Sequence, residues 1–216
     1  MSKLTNLSFT HFCFLGALLM SGSLSAQSWI EYTSQEDFFN INFPGQPGIS
    51  EISYPSEYGA VFPGRVYSSS IGDRSYTVTV IDYTDSENIH QARSNTTEAD
   101  SLASYIYWQI DVVASVAYAA TQFRNRGSTV DYDAWHHIER VPGHQLNLTN
   151  PDGSRSYIGI YLHEARLYIV EATAPRGTPP QLQFQQSLGF IDEDGKRIRY
   201  NWNEKGHLIR EENPNP

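Results

Sequence analysis

Residues 155–175, RSYIGIYLHEARLYIVEATAP, decide how the rest of the chain is read. Two runs rich in β-branched and aromatic residues flank a short polar break at residues 163–166, the pattern of an antiparallel hairpin. Pairing about Glu164 and Ala165 sets Leu162 opposite Leu167, Ile160 opposite Ile169 and Ile158 opposite Glu171 on one face of the pleat. The other face carries Tyr157, Tyr161, Tyr168 and Val170. Both sets are bulky, so the hairpin reads as the central pair of a sheet covered on both sides. Glu171 is the exception on its aliphatic face. Buried, it needs a cation or a hydrogen-bond donor; near a sheet edge it reaches water, which is the preferred reading.

Before the hairpin, short strand-like runs come first. Residues 29–32 and 38–43 are separated by a polar turn, and the second run alternates with Phe39, Ile41 and Phe43 on one side. Residues 49–54, 60–70 and 74–83 continue the series, and Pro63 marks an edge, a strand start or a bulge because it has no amide hydrogen to give. Residues 86–94 suit a short helix. Thr97, with Glu98 and Asp100 behind it, offers an N-cap for a long one. From there Leu102, Ile106, Ile110, Val113, Ala117 and Ala120 recur at helical steps, and Arg124, Arg126 and Gly127 mark the end. With Tyr105, Trp108 and Val112 as a second line, this is a long core helix laid across a sheet. Asp111 near its centre, with Gln109 and Ser115, argues against a membrane span.

Residues 129–141 and 144–149 return to strand character, followed by the Pro-Asp-Gly turn at 151–153. After the hairpin, residues 179–190 read as a short helix. Residues 196–202 and 207–210 form a last hairpin about the turn at 203–206. That tail alone is basic, with Lys196, Arg197, Arg199, Lys205 and Arg210, and docking onto its own acidic domain is the simplest account of it. The expected fold class is α+β: an antiparallel β-sheet covered by a long helix and shorter helices, α/β/α sandwich-like, with a C-terminal β-hairpin appendage. The expected divisions are residues 1–26, 27–191, 192–211 and a disordered 212–216.

Residues 1–26 have the layout of a cleaved secretory signal peptide: Lys3, an apolar run from Phe12 to Met20, then SGSLSA. Cleavage is expected after Ala26 or after Ser25, and it removes Cys13, the one cysteine in the chain. The remaining 190 residues carry 14 Lys+Arg against 24 Asp+Glu, a net charge of −10. An acidic chain of this kind is a poor partner for nucleic acid or anionic lipid, and no membrane insertion is expected once the leader is gone. A periplasmic or secreted location without disulfides follows from the leader and the cysteine count.

The chain lacks a nucleophile elbow, a phosphate-cradling glycine loop and a dinucleotide fingerprint. His163-Glu164 begins like a zinc-protease motif, but Leu167 stands where the second histidine would be. Residues 192–195 have the acids and glycine of a calcium loop without its ligand alternation or closing glutamate. The richest stretch is DYDAWHHIERVPGH, residues 131–144. On a strand, Asp131, Asp133, Trp135, His137 and Glu139 share one face, as a carbohydrate or metal site would require. A solvated strand face with one exposed tryptophan gives the same pattern and is preferred. His136, on the apolar side, reads as a hydrogen-bonded core histidine.

The F-x-I-x-F-P-G-x-P phrase at residues 39–47, a strand ending in Asp82-Tyr83, a long helix, and a tyrosine-rich hairpin followed by a helix ending in L-G-F together resemble the PsbP-like and DcrB-like group of α+β sandwiches. The resemblance spans about residues 29–191. It implies an antiparallel sheet between helices and a binding or accessory role in an exported protein, and it carries over no metal or docking residue. The expectation is therefore a non-enzymatic exported domain with a binding or accessory role in the bacterial cell envelope, with no catalytic, cofactor or metal residue assigned. The alternatives are a metal- or carbohydrate-binding protein using Asp133, Trp135, His137 and Glu139, and a hydrolase without a recognisable motif.

Overall fold

Runs of β-branched and aromatic side chains form strands on either side of one long helix, and the computed structural model describes residues 29–94 and 98–211, apart from the side chains of 94 and 98–105. The expected leader at 1–26, the Thr97 cap, the packing of Leu102 and Tyr105, and the tail at 212–216 lie outside the described residues. The elements in chain order are β1 (Ile30–Ser34), β2 (Phe39–Phe43), β3 (Gly48–Pro55), β4 (Val61–Ile71), β5 (Arg74–Asp82), α1 (Ser86–Ser94) and α2 (Glu98–Arg124). They continue with β6 (Thr129–Ile138), β7 (Val141–Thr149), β8 (Arg155–His163), β9 (Arg166–Ala174), α3 (Leu182–Gln185), β10 (Gly189–Phe190), β11 (Tyr200–Trp202) and β12 (Leu208–Arg210).

Seven strands form one antiparallel sheet in the order β3-β4-β5-β9-β8-β7-β6. The β8–β9 hairpin lies inside it in the expected register, with Leu162 opposite Leu167, Ile160 opposite Ile169 and Ile158 opposite Glu171. Glu164 and Ala165 form its two-residue turn with φ of 46° and 55°. Paired positive φ values match the right-handed twist of the flanking strands. Gly159 lies beside the Tyr161 ring, which a Cβ there would approach to 2.9 Å, so its lack of a side chain makes room for a tyrosine in the middle of the sheet.

Both faces of the sheet are covered. On one face Leu146, Leu148, Ile158, Ile160, Leu167 and Ile169 pack against Val116, Ala119, Ala120 and Phe123 of α2. On the other, Tyr67, Tyr76, Val78, Tyr161, Tyr168 and Val170 meet Phe39, Ile41, Phe43, Phe184, Leu188 and Phe190. That second cover is a small sheet, β1-β2-β10, joined by the single turn of α3. The helix expected over residues 179–190 is therefore shorter, because Gly189 and Phe190 leave it to pair with Asn40 and Phe39.

The face that α2 turns to the sheet differs from the expected one. Ile106, Ile110 and Val113 are 57, 38 and 77% exposed, and Ala117 is exposed as well. The buried line is Asp111, Ser115, Val116, Ala119, Ala120 and Phe123. Apolar residues surround most of this helix, so periodicity alone fits two stripes. The stripe that faces the sheet is the one with the small side chains Ser115, Ala119 and Ala120. It also buries a carboxylate, which is tolerated because distant residues bond to it.

Glu171 differs too. It sits in the interior strand β9, and Arg126, just past α2, grips both its oxygens at 2.6 and 3.0 Å. A cation from the helix end, rather than bulk water at a sheet edge, balances its charge.

The packing predicts opposite fates for two aspartate substitutions in α2. Val116→Asp should cost about 3 kcal/mol or more, because it removes buried apolar surface and adds an unpaired charge. Ile110→Asp should cost under about 1 kcal/mol, as surface changes do. Urea melts of both variants check this, and a reversed ranking would mean that the helix presents its other face.

Candidate functional site

Three groups of polar side chains are drawn together from distant parts of the chain. The first has the composition of a hydrolase triad. Ser56 follows β3, His90 lies on α1 and Asp111 on α2, and all three are buried. The Ser56 hydroxyl donates to Asp111 Oδ2 at 2.5 Å, and His90 Nε2 lies 2.9 Å from the same oxygen. Nucleophilic catalysis needs the imidazole between hydroxyl and carboxylate, so that the base takes the serine proton. Here the carboxylate is in the middle, and the hydroxyl is held by an acceptor that does not activate it. Phe62 packs on His90 and Tyr83 and closes the group from its side. Burial, with Asp111 and neighbouring tyrosines as lesser causes, pushes the Tyr83 hydroxyl up. The arrangement is a polar pin that holds α1, α2 and the β3–β4 turn together.

The second group seats β1 and β2 on the large sheet. Asp37, buried in the turn between them, accepts Arg65 Nε and Nη2 at 2.8 and 2.5 Å and the Tyr67 hydroxyl at 2.6 Å. Ser34 bonds both the Asp37 amide and the Tyr67 hydroxyl. Burial first, and the bond to Asp37 second, raise the Tyr67 pKa. Asp37 and Arg65 also line a cleft of about 440 Å³ with Glu51, Ile52, Val61 and Asp82. Every oxygen of the buried carboxylate is engaged within the fold, so this group positions the small sheet.

The third group lies at the outer strand β6 and contains the exposed residues. Arg124, in the last turn of α2, donates to Asp133 Oδ2 at 2.6 Å and Oδ1 at 3.0 Å. His144 Nε2 contacts Asp133 Oδ1 and lies 3.0 Å from Arg124 Nη2. Trp135, cross-strand from His144, stands 5.4 Å from its ring in an edge-to-face contact. The residue is 72% exposed. The Arg124 guanidinium, with His144 as a lesser cause, holds the Asp133 carboxyl down at about 2. The result is a charge-balanced platform with a large aromatic surface held above it.

Only part of the face expected from the sequence is assembled there. Asp133 and Trp135 are together, but a bulge between Val130 and Tyr132 turns Asp131 to the Thr149 hydroxyl at 2.6 Å and toward Arg155. Glu139 is not on the strand: with Arg140 it forms the β6–β7 turn, at φ of 48° and 64°, and pairs with Arg197 at 2.6 Å. His137 is exposed opposite Pro142. His136 bonds the Tyr161 hydroxyl at 3.1 Å, and burial, then His137, lowers its pKa. The set Asp133, His137 and Glu139 therefore does not converge as ligands, and among the described residues no group of three or more His, Cys, Asp or Glu side chains is placed to hold a metal ion.

The sequence reading missed His144 as the neighbour of Trp135, and Arg124 as the partner of both His144 and Asp133. A two-residue turn at Glu139 and Arg140 would have placed His144 opposite Trp135. The strand was instead read through to Val141.

The C-terminal hairpin β11–β12 is attached to the domain by residues of both. His163 is buried, stacked on Phe190 at 4.2 Å, and its Nε2 bonds the Tyr200 hydroxyl at 2.8 Å. Arg140 donates to the Tyr200 carbonyl and pairs with Glu211, Arg210 pairs with Asp192, and Arg197 with Glu139. Of the tail's basic side chains, Arg197 thus meets an acid of the domain, and Arg210 meets Asp192 at the start of the appendage itself.

No protein-family model matches the chain, and no curated protein matches it. Among solved structures, it is similar to the cyanobacterial PsbP of Synechocystis sp., at 14% identity and a TM-score of 0.35 over 74% of this chain and 88% of that one. It is also similar to a protein of unknown function from Pseudomonas aeruginosa, at 12% identity and a TM-score of 0.27 over 68% and 83%. The first belongs to the group that the sequence pattern resembles. At such similarities the fold class and the site rest on this chain's own strands, helices and contacts.

Burial, with Arg210 and Arg166 as lesser causes, holds the His163 pKa down to about 4. The unfolded imidazole takes up a proton near 6.5, before the folded one does. Its contribution is therefore full above about pH 6.5 and is lost as the pH falls to about 4, on the order of 3 kcal/mol in all. Melts at stepped pH should show this loss in the parent and a flatter profile in His163→Phe over that window; parallel profiles would contradict a buried neutral imidazole.

Proposed function

We propose that the chain is a non-enzymatic domain with a binding or accessory role in the bacterial cell envelope, exported by its leader, and that it meets its partner through β6 and the end of α2. Trp135 carries this reading. A tryptophan left 72% exposed on a sheet edge, above an arginine, a carboxylate and an imidazole already bonded to one another, is a preorganised aromatic anchor. Asp133 brings no unpaired charge to such a contact, because Arg124 occupies both its oxygens. The one Ser, His and Asp combination in contact among the described residues is buried and bonded in an order that leaves the serine unactivated. Among the described residues no helix is long and apolar enough to cross a membrane.

A photo-reactive amino acid placed at position 135, and separately at the exposed positions of Trp202 and Val113, tests the surface in intact cells. Adducts of defined mass should form from position 135 and be weak or absent from the other two. Equal labelling at all three, or none at 135, would remove the β6 surface. Turnover on a general hydrolase panel that disappears in Asp111→Asn would overturn the non-enzymatic reading.

A further inference from the structure

We infer that the partner of β6 is a second copy of this chain, joined edge to edge in an antiparallel pair centred on Trp135. The inference rests on the reading of the Trp135 face as a binding surface and names its occupant. β6 is the last strand of the seven-stranded sheet, and among the described residues no strand pairs with its outer side. It is ten residues long, and an open edge of that length is a template for another strand.

The limits of the usable edge come from the fold itself. The bulge between Val130 and Tyr132 ends regular pairing on one side, and the turn at Glu139 and Arg140 ends it on the other. Residues 132–138 remain, and Trp135 is their midpoint. A two-fold axis at Trp135 then sets Trp135 against the partner's Trp135, Asp133 against the partner's His137, Ala134 against the partner's His136, and Tyr132 against the partner's Ile138. Asp133 stands before the midpoint and His137 after it, so the antiparallel arrangement sets each Arg124-held carboxylate beside an imidazole able to hydrogen-bond and keeps the two copies of Asp133 apart. Two exposed tryptophans meet at the centre.

Between the bulge and the turn, residues 132–138 carry no proline and no lysine to guard against pairing. Asp133 is held by Arg124, and Asp131 is turned away to Thr149. The opposite edge, β3, differs. It is bracketed by Pro47 and Pro55, and its one charged residue is Glu51, so no two-fold register of β3 sets unlike charges together.

Engineered cysteines in a Cys13→Ser background read the register directly. Residues facing each other across an antiparallel pair have Cα atoms about 4.5–5.5 Å apart, within the range a disulfide spans. Trp135→Cys should therefore form a covalent dimer under mild oxidation, whereas Ala134→Cys, one step off the axis, and Ile49→Cys, on β3, should do so much more slowly. Light scattering on the chain without engineered cysteines keeps the test independent of the tryptophan. It should report a dimer, and His137→Asp, which opposes two carboxylates twice per dimer, should weaken it about tenfold. A monomer at all concentrations, or Trp135→Cys oxidising no faster than Ile49→Cys, would overturn self-pairing. If photo-adducts at position 135 then carry a different protein, the binding surface stands and only its occupant changes; if no adduct forms, both readings fall.

Discussion

The arrangement of the molecule depends on one buried carboxylate. Asp111 sits on the sheet-facing side of α2 and is bonded to Ser56 from the β3–β4 turn and His90 from α1. A buried carboxyl in that position is tolerable only with such partners, and removing either would leave a buried polar group short of a hydrogen bond. The pin therefore chooses between two apolar stripes of comparable length. With Asp111 inward, Val116, Ala119, Ala120 and Phe123 meet the sheet, and Ile106, Ile110 and Val113 face outward.

The rotation of α2 sets what its far end can reach. Arg124 arrives at Asp133 on β6, and Arg126 at Glu171 on β9, each gripping a carboxylate with two nitrogens. These contacts tie the helix to the middle and the edge of the same sheet. The Arg124 contact also neutralises the edge strand and supports the histidine against which Trp135 stands. A packing choice at the centre of the helix is thus carried to the exposed surface through a rigid element, and the candidate binding face is a consequence of the core.

Local pattern was enough for much of the fold. The β8–β9 register followed from bulky residues on both sides of a two-residue break, and the α+β class from strand runs interrupted by one long helical stretch. What remained hidden was non-local. Ser56 and His90 stand 55 and 21 residues from Asp111, so nothing near Asp111 marks it as satisfied. The periodic reading therefore excluded it from the buried face. At the edge strand, the turn at Glu139 and Arg140 uses two non-glycine residues at positive φ, without the asparagine or glycine that usually announces such a turn. Reading the strand through it kept Glu139 on the face and hid His144. Alternation likewise could not anticipate the bulge that removes Asp131.

The most direct test of this chain of contacts is the titration of the Asp133 carboxyl, followed by NMR. With α2 rotated as the Asp111 pin requires, Arg124 holds that group down at about 2, so its contribution to stability is present above the ordinary carboxylate range and is lost as the pH falls toward 2. A midpoint near 2 is the predicted result. A midpoint near the ordinary value of about 4 would show that Arg124 is elsewhere, and that α2 does not lie on the sheet in this way.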